Sequence, residues 1–263
     1  MRRIFLLAAI SAFSLCGFAA AQSPFDGTWK VDMNKVDFPK KPNVFSLKDG
    51  MYKCETCVPP VEVKADGEDH AVSGHPYYDT VAIKVVSDHE VDETDKKGGK
   101  TVTTSKMMVS PDGNTMTFEF NDSSNTNSAP VTGKGENMRV GAKPATGENM
   151  ITGSWRTTKF ENVSDNGITW SYKVNGDEIT MTSQTGQSYT AKMDGTDTPM
   201  KGDPGVTSVS VKKMGSNSIE ETDKRDGKVI GVMKATVSGN SLKCTYDDKL
   251  QGTSMHYTAT KQQ

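Results

Sequence analysis

The chain has 263 residues, with 31 basic against 33 acidic side chains and a formal net charge of −2. The charges are dispersed in both signs, so there is no field to attract nucleic acid or an anionic membrane surface, and neither is an expected partner. Only 34% of the residues are hydrophobic and 24 are glycine, which argues against a large hydrophobic core and fits many short strands joined by tight turns.

The chain begins with Arg2 and Arg3, then an apolar run from Ile4 to Ala21 ending in the small residues Ala19-Ala20-Ala21. Residues 1–22 are therefore expected to be a signal peptide removed on export. Leu15 stands before Cys16 where a lipoprotein would need a small residue. Without the two arginines the balance is 29 basic to 33 acidic. The mature protein is expected to be periplasmic or extracellular, with no membrane span after cleavage.

From Phe25 onward the sequence is written twice. Lys64 to Ser110 aligns without a gap on Lys192 to Ser238, with 17 of 47 positions identical. Phe25-Asp-Gly-Thr-Trp29 meets Ile151-Thr-Gly-Ser-Trp155, and Met116-Thr-Phe-Glu-Phe120 meets Leu242-Lys-Cys-Thr-Tyr246. This places one β-barrel repeat at 23–140, a linker at 141–150 (GAKPATGENM) and a second repeat at 151–263. A period of this size is that of a small domain, not of a solenoid unit.

Within a repeat the periodicity is two. Val81, Ile83 and Val85 alternate with polar or small neighbours, as do Thr115 to Phe120 and Asp177 to Thr182. Turn signals (KDG, ADG, SPDGN, VNGDE, SQTGQ, RDGK) punctuate the strands, which predicts consecutive antiparallel hairpins. About eight or nine strands per repeat suffice to close a small barrel or form a sandwich. The fold class expected is all-β, two tandem antiparallel meander barrels.

Cys54-Glu-Thr-Cys57 lies opposite Thr182 and Thr185, in a hairpin turn of the second repeat. A structural disulfide is favoured there over a redox or metal site, since no second Cys pair and no helix accompany it. Cys244 falls on one strand face with Leu242 and Tyr246 and reads as a core residue. The cluster His75, Tyr77, Tyr78 and Asp79 reads as an ordered loop with a His–Asp contact, or as a binding site. None of the four histidines recurs in the other repeat, and no catalytic or nucleotide-binding fingerprint occurs. No metal, no cofactor and no enzymatic activity are expected.

Asp92 to Lys100 (DETDKKGGK) recurs as Glu220 to Lys228 (EETDKRDGK). Its end reads as a hairpin tip, with Asp95 and Asp223 pairing across the turn with Lys100 and Lys228. If Val91 and Ile219 point inward, Glu93 and Glu221 share that face. Each is then either a solvated rim residue or a handle for a ligand.

Gly27-Thr-Trp29 and Gly153-Ser-Trp155, each opening a meander, resemble the lipocalin and fatty-acid-binding-protein group of β-barrels. That resemblance implies that Trp29 and Trp155 plug barrel ends, with Arg139 and Lys261 from late strands packed across them. It also implies a small apolar molecule as the partner. Segments such as GTWK, VKADG and EETDK also resemble exported bacterial two-repeat proteins, a likeness that implies no function. The expected function is non-enzymatic binding. The alternative is an envelope structural or interaction module with solidly packed barrels.

Overall fold

The computed structural model describes residues 23–127 and 129–263; the expected signal peptide, with Cys16, lies outside the described residues. The first repeat forms β1 (Gly27–Asp37), β2 (Asn43–Lys48), β3 (Met51–Cys54), β4 (Val61–Lys64), β5 (His70–Ala71), β6 (Thr80–Ser87), β7 (Glu90–Lys97), β8 (Lys100–Val109), β9 (Thr115–Asp122) and β10 (Val131–Val140). The second forms β11 (Gly153–Glu161), β12 (Thr169–Asn175), β13 (Glu178–Ser183), β14 (Ser188–Lys192), β15 (Asp194–Pro199), β16 (Ser208–Lys213), β17 (Ser218–Arg225), β18 (Lys228–Ser238), β19 (Ser241–Asp248) and β20 (Thr253–Lys261). A 3-10 turn at Asp165–Gly167 is the only helical element among the described residues.

These strands build two antiparallel, nearly closed barrel-like sheets of ten strands each. Exposed edges invite pairing with other chains, and closure limits them. In the first sheet a bridge joins Asp66 to Lys84, beside which Gly67 N donates to Ile83 O at 2.9 Å. In the second, Ser188 and Lys201 exchange backbone hydrogen bonds of 3.0 and 2.9 Å.

The sheets do not coincide with the sequence repeats, which corrects the expectation that 23–140 and 151–263 each close a barrel alone. The first sheet runs β4-β3-β2-β11-β10-β9-β8-β7-β6-β5, and the second β14-β13-β12-β1-β20-β19-β18-β17-β16-β15. The opening strands have changed places: β1 lies between β12 and β20, and β11 between β2 and β10. The link from β1 to β2 is Phe38-Pro39-Lys40-Lys41-Pro42. Proline fixes its own φ and biases the preceding residue toward extended backbone, so the segment carries the chain onward instead of folding it into a hairpin. The two exchanged strands meet near their ends, where the rings of Phe38 and Phe160 lie 5.4 Å apart.

The exchange carries the core anchors with it. Phe25 and Trp29 pack in the second core, with Tyr172, Ile179 and Leu242, while Ile151 and Trp155 pack in the first, with Tyr52, Ile83 and Met116. Both tryptophans are 0% exposed, and each satisfies its indole N–H on the carbonyl four residues earlier, at 2.8 Å to Phe25 and 2.7 Å to Ile151. Lys261 Nζ lies 5.1 Å from the centroid of Trp29, and the Arg139 guanidinium 4.1 Å from that of Trp155. The Trp–cation pairing implied by the lipocalin resemblance is therefore present, but each pair joins one residue from each repeat.

The linker region is not a free tether at its end. Asn149 Nδ2 donates to Ser87 O at 2.9 Å, Met150 N donates to Asp88 O at 2.8 Å, and Arg139 donates to Met150 O. Cys54 and Cys57 form a disulfide, and Cys244 is buried and free.

Candidate functional site

The repeated nonapeptide forms the β7–β8 and β17–β18 hairpins. Gly98 and Gly99 (φ 57° and 77°) and Asp226 and Gly227 (φ 51° and 79°) occupy the two central turn positions, the doubly positive φ that a tight hairpin of this twist requires. In β7 and β17 the side chains alternate, so Val91, Glu93 and Asp95 face one interior and Ile219, Glu221 and Asp223 the other. A bulge follows both Asp95 and Asp223. Asp95 then stands opposite Thr103 rather than near Lys100, and Asp223 opposite Gly231 rather than near Lys228. The expected pairing with those lysines is thus corrected: the aspartates belong to the interior. Neither glutamate is a solvated rim residue, and Glu221 is 7% exposed.

Burying two carboxyl groups two residues apart on one strand face disfavours their charged forms, through lost hydration and then mutual repulsion. In the first barrel, Tyr52 donates to Glu93 Oε2 at 3.4 Å. Burial raises Glu93, and the Tyr52 hydroxyl partly offsets the rise. Asp95 is pushed up to about 8 by burial, then by the charges of Glu93 and Asp122. Its Oδ1 is buried without a hydrogen-bond partner. In the second barrel, Tyr189 donates to Glu221 Oε2. Glu221 is pushed up to about 8 by burial and by Asp223, and Asp223 to about 6 by burial, opposed by a hydrogen bond from Tyr246.

The two barrels differ at that last contact for a local reason. Tyr246 aligns with Phe120, and Gly231 with Thr103. A Cβ on Gly231 would stand 2.2 Å from the Tyr246 hydroxyl, so glycine makes room for the hydroxyl that reaches Asp223. The first repeat has neither the space nor the hydroxyl, and Asp95 is left unpaired.

The histidine–tyrosine cluster is divided between the barrels. His75 is buried and stacks on Tyr78, with centroids 4.5 Å apart, and burial lowers its pKa. No His75–Asp79 bond forms; Asp79 instead accepts from Thr80 Oγ1 and from Gly98 N. Tyr78 packs on the first core near Glu93 and Asp95. Tyr77 points to the second barrel, donating to Asp203 Oδ1 at 2.9 Å, while Asn125 Nδ2 donates to Asp203 Oδ2 at 2.9 Å. Gly205 and Val206 also donate backbone N–H groups to Asp203 Oδ1. A Cβ on Gly205 would meet the Tyr77 hydroxyl at 2.0 Å. Asp203 therefore latches two loops of the first repeat onto the mouth of the second barrel.

Two of the cavities are built around these residues. One, of about 550 Å³, lies where the exchanged strands cross, walled by Val31, Met33, Phe38, Phe120, Phe160 and Met255, with Thr169, Trp170, Ser183, Tyr246 and Tyr257. The other, of about 420 Å³, reaches into the second barrel behind Tyr77 and Asn125 and holds Glu221 and Asp223 in its wall. Trp170, Ser183, Tyr246 and Tyr257 line both. No group of three or more metal-ligating side chains occurs among the described residues. Sequence reasoning gave Asp223 and Tyr246 only structural roles and did not mark out Asp203, Trp170 or Tyr257. The signal for Asp223 was present, since the repeat preserves Glu-Thr-Asp as faithfully as its turn. No family model, curated protein or solved structure matches the chain.

Proposed function

We propose that the chain is an exported, non-enzymatic binding protein whose ligand is a small molecule with a largely apolar body. The observation that carries this reading is the cavity of about 550 Å³ at the strand crossing. It lies within the size range of small-molecule sites, roughly 300–1,000 Å³. Its wall is aliphatic and aromatic, with a few hydroxyl and amide groups, among them Asn166, Thr169 and Ser183, to orient a ligand. Thr169 Oγ1 is buried without a partner, so a ligand carrying one polar atom among apolar ones is favoured over a pure hydrocarbon.

The competing reading, an interaction module with packed barrels, draws on the first barrel, whose interior holds Tyr52, Ile83, Met107, Met116 and Trp155 in one cluster. Native mass spectrometry of the exported chain separates the two. A carrier shows a mass above that of the sequence, and the extra component is recovered by solvent extraction. It also binds the fluorescent apolar probe anilinonaphthalene sulfonate, and Met255→Trp, which fills the cavity, abolishes that binding. A native mass equal to the sequence mass, with no probe response to Met255→Trp, overturns the carrier reading.

A further inference from the structure

We propose that the interior of the second barrel binds a small organic ammonium ion, held by the Glu221 and Asp223 carboxylates within a box of Trp170, Tyr172, Tyr246 and Tyr257. This rests on the reading of the chain as a binding protein but uses the smaller of the two cavities. The wall of that cavity includes three carboxylates, Asp203, Glu221 and Asp223, and neither lysine nor arginine. Asp203 is satisfied by Tyr77, Asn125 and two backbone N–H groups. Glu221 and Asp223 receive one tyrosine hydroxyl each, from Tyr189 and Tyr246, which leaves the pair without a counter-charge. A buried carboxylate pair in that state takes up protons or a cation.

The aromatic wall makes the organic cation the better fit. Trp170 and Tyr172 stand edge to face, with centroids 6.3 Å apart and planes at 85°. Tyr246 and Tyr257 also line the cavity, with Met181, Met200 and Met233. Ring faces attract ammonium groups, most strongly where water is excluded. A hydrated inorganic ion would gain little from them. A second observation, independent of the acids, points the same way. Asn125, from the first repeat, lies in the cavity wall with Oδ1 buried and unpartnered, while its Nδ2 is committed to Asp203. An N–H donor is what that acceptor lacks.

The first barrel is an internal control. It has the same acid pair, Glu93 and Asp95, but Phe120 and Thr103 stand where the second barrel has Tyr246 and Gly231. Ionising the pair for a cation displaces the proton that the empty site carries, so binding near neutral pH releases protons.

Titration calorimetry of the full exported chain with phenylethylammonium, and with its neutral analogue 2-phenylethanol, tests this. The cation should bind at least tenfold more tightly and release a fraction of a proton, seen as a dependence of the heat on the ionisation enthalpy of the buffer. Glu221→Gln should weaken the cation at least tenfold and remove the proton release, whereas Glu93→Gln leaves both unchanged. Anilinonaphthalene sulfonate binding, which reports the larger cavity and confirms that the Glu221→Gln chain is folded, should persist. Equal affinity for cation and alcohol, or an undiminished response in Glu221→Gln, overturns the ammonium site. If the apolar probe binds and the cation does not, only this inference falls. If neither binds, the binding reading falls with it.

Discussion

Replacing Glu221 by Gln should make the protein more stable, and only on the alkaline side. In the folded chain the carboxyl is enclosed by Asp223 on its own strand, Tyr189 on β14, Tyr172 on β12, Cys244 and Tyr246 on β19, and Tyr257 on β20. Burial and the neighbouring Asp223 push it up to about 8 from an ordinary 4.5. Below about pH 4.5 it is neutral in both folded and unfolded chains and has no effect on the balance. Between there and about 8 the unfolded chain gives up the proton and the folded chain keeps it, so stability falls as pH rises, by about 1.4 kcal/mol per pH unit. Above about 8 the slope ends, with a total near 5 kcal/mol as an upper bound. For a chain of this size 1 kcal/mol corresponds to roughly 2–4 °C in Tm, so the roughly 4 kcal/mol lost between pH 5 and 9 lowers Tm by about 8–16 °C through this group alone. Glutamine keeps an oxygen to accept the Tyr189 hydroxyl and cannot ionise. Thermal melts by circular dichroism across pH 5–9 should show wild type and Glu221→Gln close together at pH 5 and the variant well above wild type at pH 9. The residual slope of the variant belongs to Asp95, Glu93 and Asp223, all raised by burial, opposed below about pH 6.5 by His75, which burial lowers. Parallel curves, or a wild type that gains stability toward alkaline pH, would show that Glu221 is not buried as described.

Further predictions follow from the strand exchange and the latch. Trp155→Ala should cost about 3–5 kcal/mol, and hydrogen exchange should accelerate in β2 and β10, which flank β11, with β12 much less affected; the reverse pattern would rule out the exchange. A chain cut to residues 151–263 keeps β11 but loses β1, the strand seated between β12 and β20. It should form a dimer by trading β11 strands, and light scattering that finds a closed monomer refutes this. Asp203→Ala strands the Tyr77 hydroxyl and the Asn125 amide, and should lower stability by about 2–3 kcal/mol. Proteolysis should then cut the loops near residues 77 and 125 faster. Unchanged cleavage would mean that the latch does not hold them.

Much of the fold was legible. Val81, Ile83 and Val85 alternate as strands do, and the Gly-rich tips fall where chain reversal needs positive φ; the pairing of Trp29 and Trp155 with late-strand cations was implied only by the resemblance to the lipocalin group. Glu93 and Glu221 were placed on the correct face by parity with Val91 and Ile219. Asp95 and Asp223 were misread because Lys100 and Lys228 face Lys97 and Arg225 at the tip, and one extra residue on the partner strand, Val102 or Ile230, moves the aspartates' partners on to Thr103 and Gly231, which nothing in the tip's composition announces. The division of His75, Tyr77 and Tyr78 between two barrels was likewise invisible, since neighbouring residues in a loop carry no periodicity that says where each points.

The sequence by itself determined the duplication, the strand period and the disulfide, because each depends on residues close along the chain or on a pattern written twice. Only the tertiary structure decided which barrel receives β1 and which receives β11. The two strands present the same Gly-x-Trp opening, so either could fill either place as far as local pattern goes. The choice rests on how the 38–42 and 162–168 connections run between the sheets. The aromatic residues around Glu221 and Asp223 are set the same way: they come from β12, β19 and β20, with β1 of the first repeat seated between β12 and β20, and Tyr77 and Asn125 of the first repeat stand beside them.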